Sequence, residues 1–158
     1  MNSILKLGKT LYGHFVSVAR SAQNPLLLAI RLYWGWQFAQ AGWGKLHNLD
    51  HVTEFFTSLN LPAPGQTALF VALVEFVGGI LLALGLGSRA ISLVLFINMT
   101  VAYWTADHDA FLGIFSAPDK FIAADPFSYW FVALLILVIG PGLFSSDTLV
   151  GRWLGKKE

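Results

Sequence analysis

Apolar residues in this chain do not alternate with polar ones. They come in long blocks divided by glycine, proline and a few charges. Four blocks, at about 25–43, 66–86, 89–105 and 127–144, supply the roughly 20 helical residues that cross a bilayer. Pro25 is expected to open the first helix and LPAPG (61–65) precedes the second. Pro126 opens the fourth, and Gly140-Pro141-Gly142 closes it. Only the GLGSR turn (85–89) separates the second block from the third, which predicts an antiparallel hairpin.

A different pattern precedes the first block. Lys6, Thr10, Gly13, Ser17 and Arg20 recur at helical spacing, while Ile4, Leu5, Leu11, Tyr12, Phe15, Val16 and Ala19 fill the opposite face. Such a stripe predicts a basic amphipathic helix lying on the cytoplasmic leaflet. Neither the unbroken apolar run nor the cleavage site of a signal peptide is evident. Leu49, Val52, Phe55, Phe56 and Leu59 repeat the device in the loop after the first block, as a short helix on the outer surface or over the bundle. The predicted fold class is therefore all-α: an integral membrane four-helix bundle with an N-terminal amphipathic helix. Its divisions are a cytoplasmic arm at 1–22, a four-span domain at 23–150 and a basic tail at 151–158.

Composition agrees. The chain is 56% hydrophobic and 12% charged, against roughly a quarter charged in soluble proteins, which makes the lipid bilayer its expected partner. Ten basic against nine acidic residues give no large single-sign field, so nucleic acid is not expected. The absence of cysteine excludes disulfides, thiolate metal sites and iron–sulfur clusters held by this chain. Lys6, Lys9, Arg20, Arg89, Arg152, Lys156 and Lys157 fall on one side of the expected spans, and only Lys45 and Lys120 on the other. That asymmetry predicts cytoplasmic N- and C-termini.

Polar groups inside a membrane are costly, and each is a functional candidate. Here they are Arg31, Gln37 and Gln40 in the first span, Glu75 in the second and Asn98 in the third. Counting residues from the span ends puts Gln37, Glu75 and Asn98 near the midplane and Arg31 nearer the cytoplasm. Two arrangements fit. Either Arg31 crosses a depth of about 7 Å to pair with Glu75, or Arg31 snorkels and a neutral Glu75 bonds to Gln37 or Asn98. Gly78, Gly79 and Leu82 share the Glu75 face, and Gly35 and Gly42 share the Arg31 face, so these faces are expected to meet. Glu75 then serves either as a proton carrier or as a polar tie between helices, the latter contributing about 0.6 kcal/mol.

Other chemistry finds little support. His14, His47, His51 and His108 all lie outside the expected spans, so a haem in the bundle is not expected. Asp107, His108 and Asp109 are adjacent and point in different directions, and no second cluster completes a metal site. His47 and His51 lack the intervening carboxylate of a metalloprotease helix. No phosphate loop, dinucleotide fingerprint or nucleophile elbow occurs. Trp34, Trp36, Trp43, Tyr103 and Trp104 read as interface anchors or, near polar groups, as walls for a flat apolar ligand such as a quinone.

Three motifs in order carry a resemblance: AGWGKL (41–46), EFVGGILLALGLGSR (75–89) and GPGLFSSD (140–147). With Arg31 and the proline-containing outer loop, the chain resembles the DoxX family of small four-helix membrane proteins over roughly residues 25–150. Arg31, Lys45, Glu75 and Arg89 match its motif positions. The resemblance implies association with quinone-linked oxidoreductases in a bacterial inner membrane, and many members have no assigned activity. The expected function is a quinone-linked redox component or accessory subunit. A non-enzymatic scaffold for a partner protein is the alternative, and small-solute transport a third. The expected site has Glu75 as proton carrier, with Arg31, Gln37, Gln40, Lys45, Asn98 and Trp104 around a ligand. No metal, haem, iron–sulfur cluster or covalent cofactor is expected. Partners would be an oxidoreductase subunit or further copies of the chain.

Overall fold

In the computed structural model, which describes residues 2–153 and Gly155, every regular element is helical. The side chains of residues 2–6 and Thr10 lie outside the described part, as do Met1, Leu154 and residues 156–158 of the basic tail. Asn2–His47 form α1, Leu49–Ser58 α2, Pro64–Leu84 α3 and Ser88–Ala106 α4. His108–Leu112 (α5) and Pro118–Ala123 (α6) bridge to Pro126–Ile139 (α7), and Ser146–Trp153 form α8.

The first expectation to fall is the break at Pro25. The helix runs through it for 46 residues, so arm and first span are one element. A proline inside a helix leaves the carbonyl four residues earlier unbonded. Here that carbonyl belongs to Ser21, which is exposed, so the group need not be satisfied within the protein. Leu11, Tyr12, Phe15 and Val18 of the arm are also exposed, and no bundle face covers the stripe they form.

From Leu27 onward α1 is packed. It lies along α3, α3 meets α4, α4 meets α7, and α7 returns to α1. Glycine sets the closest approach. A Cβ on Gly35 would lie 2.7 Å from both the Ala83 nitrogen and the Gly79 oxygen, and one on Gly42 would strike the Phe76 backbone. The two glycine-bearing faces therefore meet as their spacing predicted. Phe38, Leu82, Leu95, Ala133 and Ile136 fill the space between the four helices.

Among the described residues, α3 and α4 are long and apolar enough to cross a membrane. The fourth expected span is shorter than its apolar run. Its helix, α7, has 14 residues, about 21 Å at the helical rise, and stops at Gly140. Gly140 takes φ +92°, a left-handed value that a side chain opposes, and residues 140–145 leave the helix to fold back on the bundle. The α3–α4 hairpin is as expected: Gly85 caps α3 at φ +71° and α4 begins three residues later. The short helix α2 also forms, and it packs on α3.

Candidate functional site

Antiparallel packing brings the chemistry together. Gly42 sits against Ala72 and Phe76, so Lys45, one turn further along α1, lies beside the first half of α3. Helical side chains lean toward the N-terminus of their own helix. Lys45 therefore leans back along α1 and Glu75 leans toward the start of α3, and the two converge. The Lys45 Nζ donates to Glu75 Oε2 in an ion pair. Asn98 of α4 donates its Nδ2 to the other oxygen, Oε1, at 3.3 Å. Glu75 is 2% exposed and Lys45 31%, so the carboxylate is enclosed while the ammonium keeps a wet side. A buried carboxylate needs such partners, since an isolated ion in low dielectric is prohibitively costly.

Asn98 is one of the partners expected for Glu75; the others are corrected. Arg31 does not pair with Glu75, because it lies nearly four turns before Lys45 on α1, at the opposite end of the packed region. Gln37 gives its amide to the Tyr33 hydroxyl at 3.2 Å on its own helix and does not reach Glu75. Gln40 is exposed. Trp104 is 55% exposed and packs edge-on to His108, outside the cavity described next. Of the expected site residues, Lys45, Glu75 and Asn98 are brought together; Arg31, Gln37, Gln40 and Trp104 are not.

Above the cluster lies a cavity of about 480 Å³. Phe38 and Tyr129 form one wall, with ring centroids 4.8 Å apart and edge to face. Phe55 and Phe56 of α2 and Leu59 just after it line another side, with Val71 of α3, Met99 and Val101 of α4, and Asp107 and Asp125. Its volume falls in the range of small-molecule sites, mostly apolar with a few converging polar groups. Tyr129 carries no signal in the sequence, since it sits in a long apolar block. The apolar stripe of α2 signalled a cap but not the cavity it lines. Among the described residues, no three His, Asp or Glu side chains are grouped as metal ligands.

The other end holds Arg31, fully buried, with Nη2 donating to the Phe144 carbonyl. Its Nε and Nη1 have no hydrogen-bond partner among the described residues. Gly85 lies so close that any Cβ there would overlap the guanidinium. Asp147 accepts from the Gly87 and Ser88 nitrogens at 2.6 and 2.8 Å, and its own nitrogen donates to Gly85 at 2.9 Å. Asn24 Oδ1 accepts from the Leu143 nitrogen at 2.9 Å. These contacts tie the segment after α7 to the α3–α4 turn and to α1.

The described residues are all helical, with two apolar helices of membrane-spanning length packed beside a polar cluster, the features of a small helical membrane protein once its family is known. The family model described as DoxX matches residues 26–108, just over half of the chain, and the protein belongs to the DoxX family. Comparisons with curated proteins and with solved structures give no match.

Proposed function

We propose that the protein is a quinone-linked membrane component whose cavity takes a quinone ring, with Glu75 as the proton carrier. The observation that carries this reading is a buried carboxylate, tied to a half-exposed lysine, on the wall of an aromatic-lined cavity. The donor set suits such a ring. Lys45 has three N–H groups and spends one on Glu75; Asn98 has a second amide hydrogen. Both can donate to a ring carbonyl while the Phe38–Tyr129 wall supplies an apolar surface for the ring. When bound, a quinone takes up two electrons and two protons. Lys45 and Asn98 would orient it, and Glu75, resupplied from solvent through the wet side of Lys45, would deliver the two protons one at a time to the ring oxygens. Electrons come from a partner oxidoreductase subunit, since the chain has no cysteine to relay them. In this reading α1 and α7 complete a four-helix bundle in a bacterial inner membrane. Both termini are cytoplasmic, and the Lys45 end faces outward.

The test is titration of the detergent-purified protein with a tail-less naphthoquinone or benzoquinone. Saturable binding is expected, weakened tenfold or more in Lys45→Met, while Glu75→Gln inserts normally and loses quinone-linked turnover with the partner. Equal binding by wild type and Lys45→Met, or full turnover in Glu75→Gln, refutes the reading.

A further inference from the structure

A para-quinone carries two opposed carbonyls. Lys45 and Asn98 stand together at Glu75, where they reach one of them. What meets the other follows from what each remaining polar side chain on the cavity wall already does. Thr67 donates its hydroxyl hydrogen to the Pro62 carbonyl at 2.7 Å, and Thr105 donates to that of Val101 at 2.8 Å. Asp107 and Asp125 are carboxylates, and an ionised carboxylate only accepts. One donor is left. Tyr129 lines the cavity, and its hydroxyl has no hydrogen-bond partner among the described residues. Two other buried or partly packed tyrosines differ: Tyr33 accepts from Gln37, and Tyr103 donates to the Phe121 carbonyl.

The fold sets the Tyr129 ring in place. α7 packs on α4 and α1, which puts it across the bundle from α3 and Glu75. Trp34 and Phe38, one turn apart on α1, meet the ring edge to face at centroid distances of 5.2 and 4.8 Å. A helical side chain leans toward the N-terminus of its own helix. Tyr129 therefore leans toward the start of α7, where Asp125 and Pro126 also line the cavity. The residue is half-buried, so its hydroxyl is not sealed in as those of Ser88 and Ser92 are, and it can meet a ligand.

We infer that Tyr129 is a second ligand-holding residue: its hydroxyl donates to the carbonyl remote from the Lys45–Glu75–Asn98 cluster, which makes the cavity selective for rings with two opposed oxygens over rings with one. The inference rests on the quinone reading of the cavity and adds a specificity to it. An apolar wall receives one-oxygen and two-oxygen rings alike, whereas a polar group waiting for a partner separates them. A phenol hydroxyl donates to a carbonyl oxygen and accepts from a hydroquinone O–H, so the contact serves both redox states of the ligand.

The test compares two probes of similar shape, para-naphthoquinone and α-tetralone, which keeps one of the two carbonyls, in wild type and Tyr129→Phe. The substitution keeps the ring and its contacts with Trp34 and Phe38 and removes only the hydroxyl, so thermal unfolding in detergent should be unchanged. Wild type should bind the naphthoquinone about threefold to tenfold more tightly than the tetralone, the effect of one neutral hydrogen bond. Tyr129→Phe should lose that factor for the naphthoquinone and nothing for the tetralone, whose single carbonyl goes to the charged donor. Both carbonyl stretches of the bound naphthoquinone should lie below their free value in wild type, and one should return to it in the variant. An equal loss for both probes overturns the inference, because it makes Tyr129 a packing residue, and so does no loss for either. Equal affinity of wild type for the two probes also overturns it and leaves the ring site standing. If wild type binds neither probe, the ring reading falls and this inference with it.

Discussion

The two ends of the packed helices each hold a buried charge, and they treat it in opposite ways. At one end Glu75 meets a half-exposed lysine and an amide beside a cavity. At the other, Arg31 is fully buried against Gly85, Ser145 and the Phe144 carbonyl. The charge at the first end can exchange partners with a ligand; the charge at the second is committed to chain segments 113 residues apart. A buried charge beside a cavity has room for a ligand, whereas one wrapped by chain segments holds protein together.

The contrast predicts where stability resides. Arg31→Ala should produce the largest loss, about 2–5 kcal/mol as for deletion of a large buried side chain, read by thermal unfolding in detergent. Quinone binding at the far end should survive in the folded fraction. Preserved stability would show that Arg31 is not the fastening.

Lys45→Met leaves Glu75 buried with only Asn98. A smaller loss is expected, about 1–3 kcal/mol, the usual cost of an unsatisfied buried polar group. Adding Glu75→Gln should restore most of it, because a neutral amide needs no counter-charge. No recovery in the double variant would mean that Lys45 contributes by packing alone. Asp147→Ala removes the acceptor for the first two nitrogens around the start of α4 and should cost about 1 kcal/mol, typical of a lost helix cap. Deleting residues 2–20 should change thermal stability least of all. The described arm side chains are nearly all exposed, and a clear drop would show that the arm packs on the bundle.

Much of this was legible in residue order. The unbroken apolar blocks demanded helices in lipid, because a backbone without water must bond to itself. Gly35, Gly42 and Gly79 foretold the α1–α3 contact, since absence of a side chain is itself visible in sequence. Glu75 stood out as a candidate because a carboxylate in an apolar block has no cheap explanation.

Its charged partner was not identifiable, although Asn98 was. Lys45 stands 30 residues away and, by counting, near a membrane surface; only the antiparallel lean of two side chains joins it to Glu75. Arg31 looked the better partner by charge and burial, and the fold spent it on Phe144 at the far end. Pro25 looked like a helix start, yet the helix runs through it where the residue four positions earlier, Ser21, is exposed. Local pattern settled which segments are helical and which residues are out of place in lipid, because those follow from each residue's own solvation. The pairing of charges and the cavity beside α2 depend on how helices distant in the chain are placed against one another. Only the tertiary structure decided those.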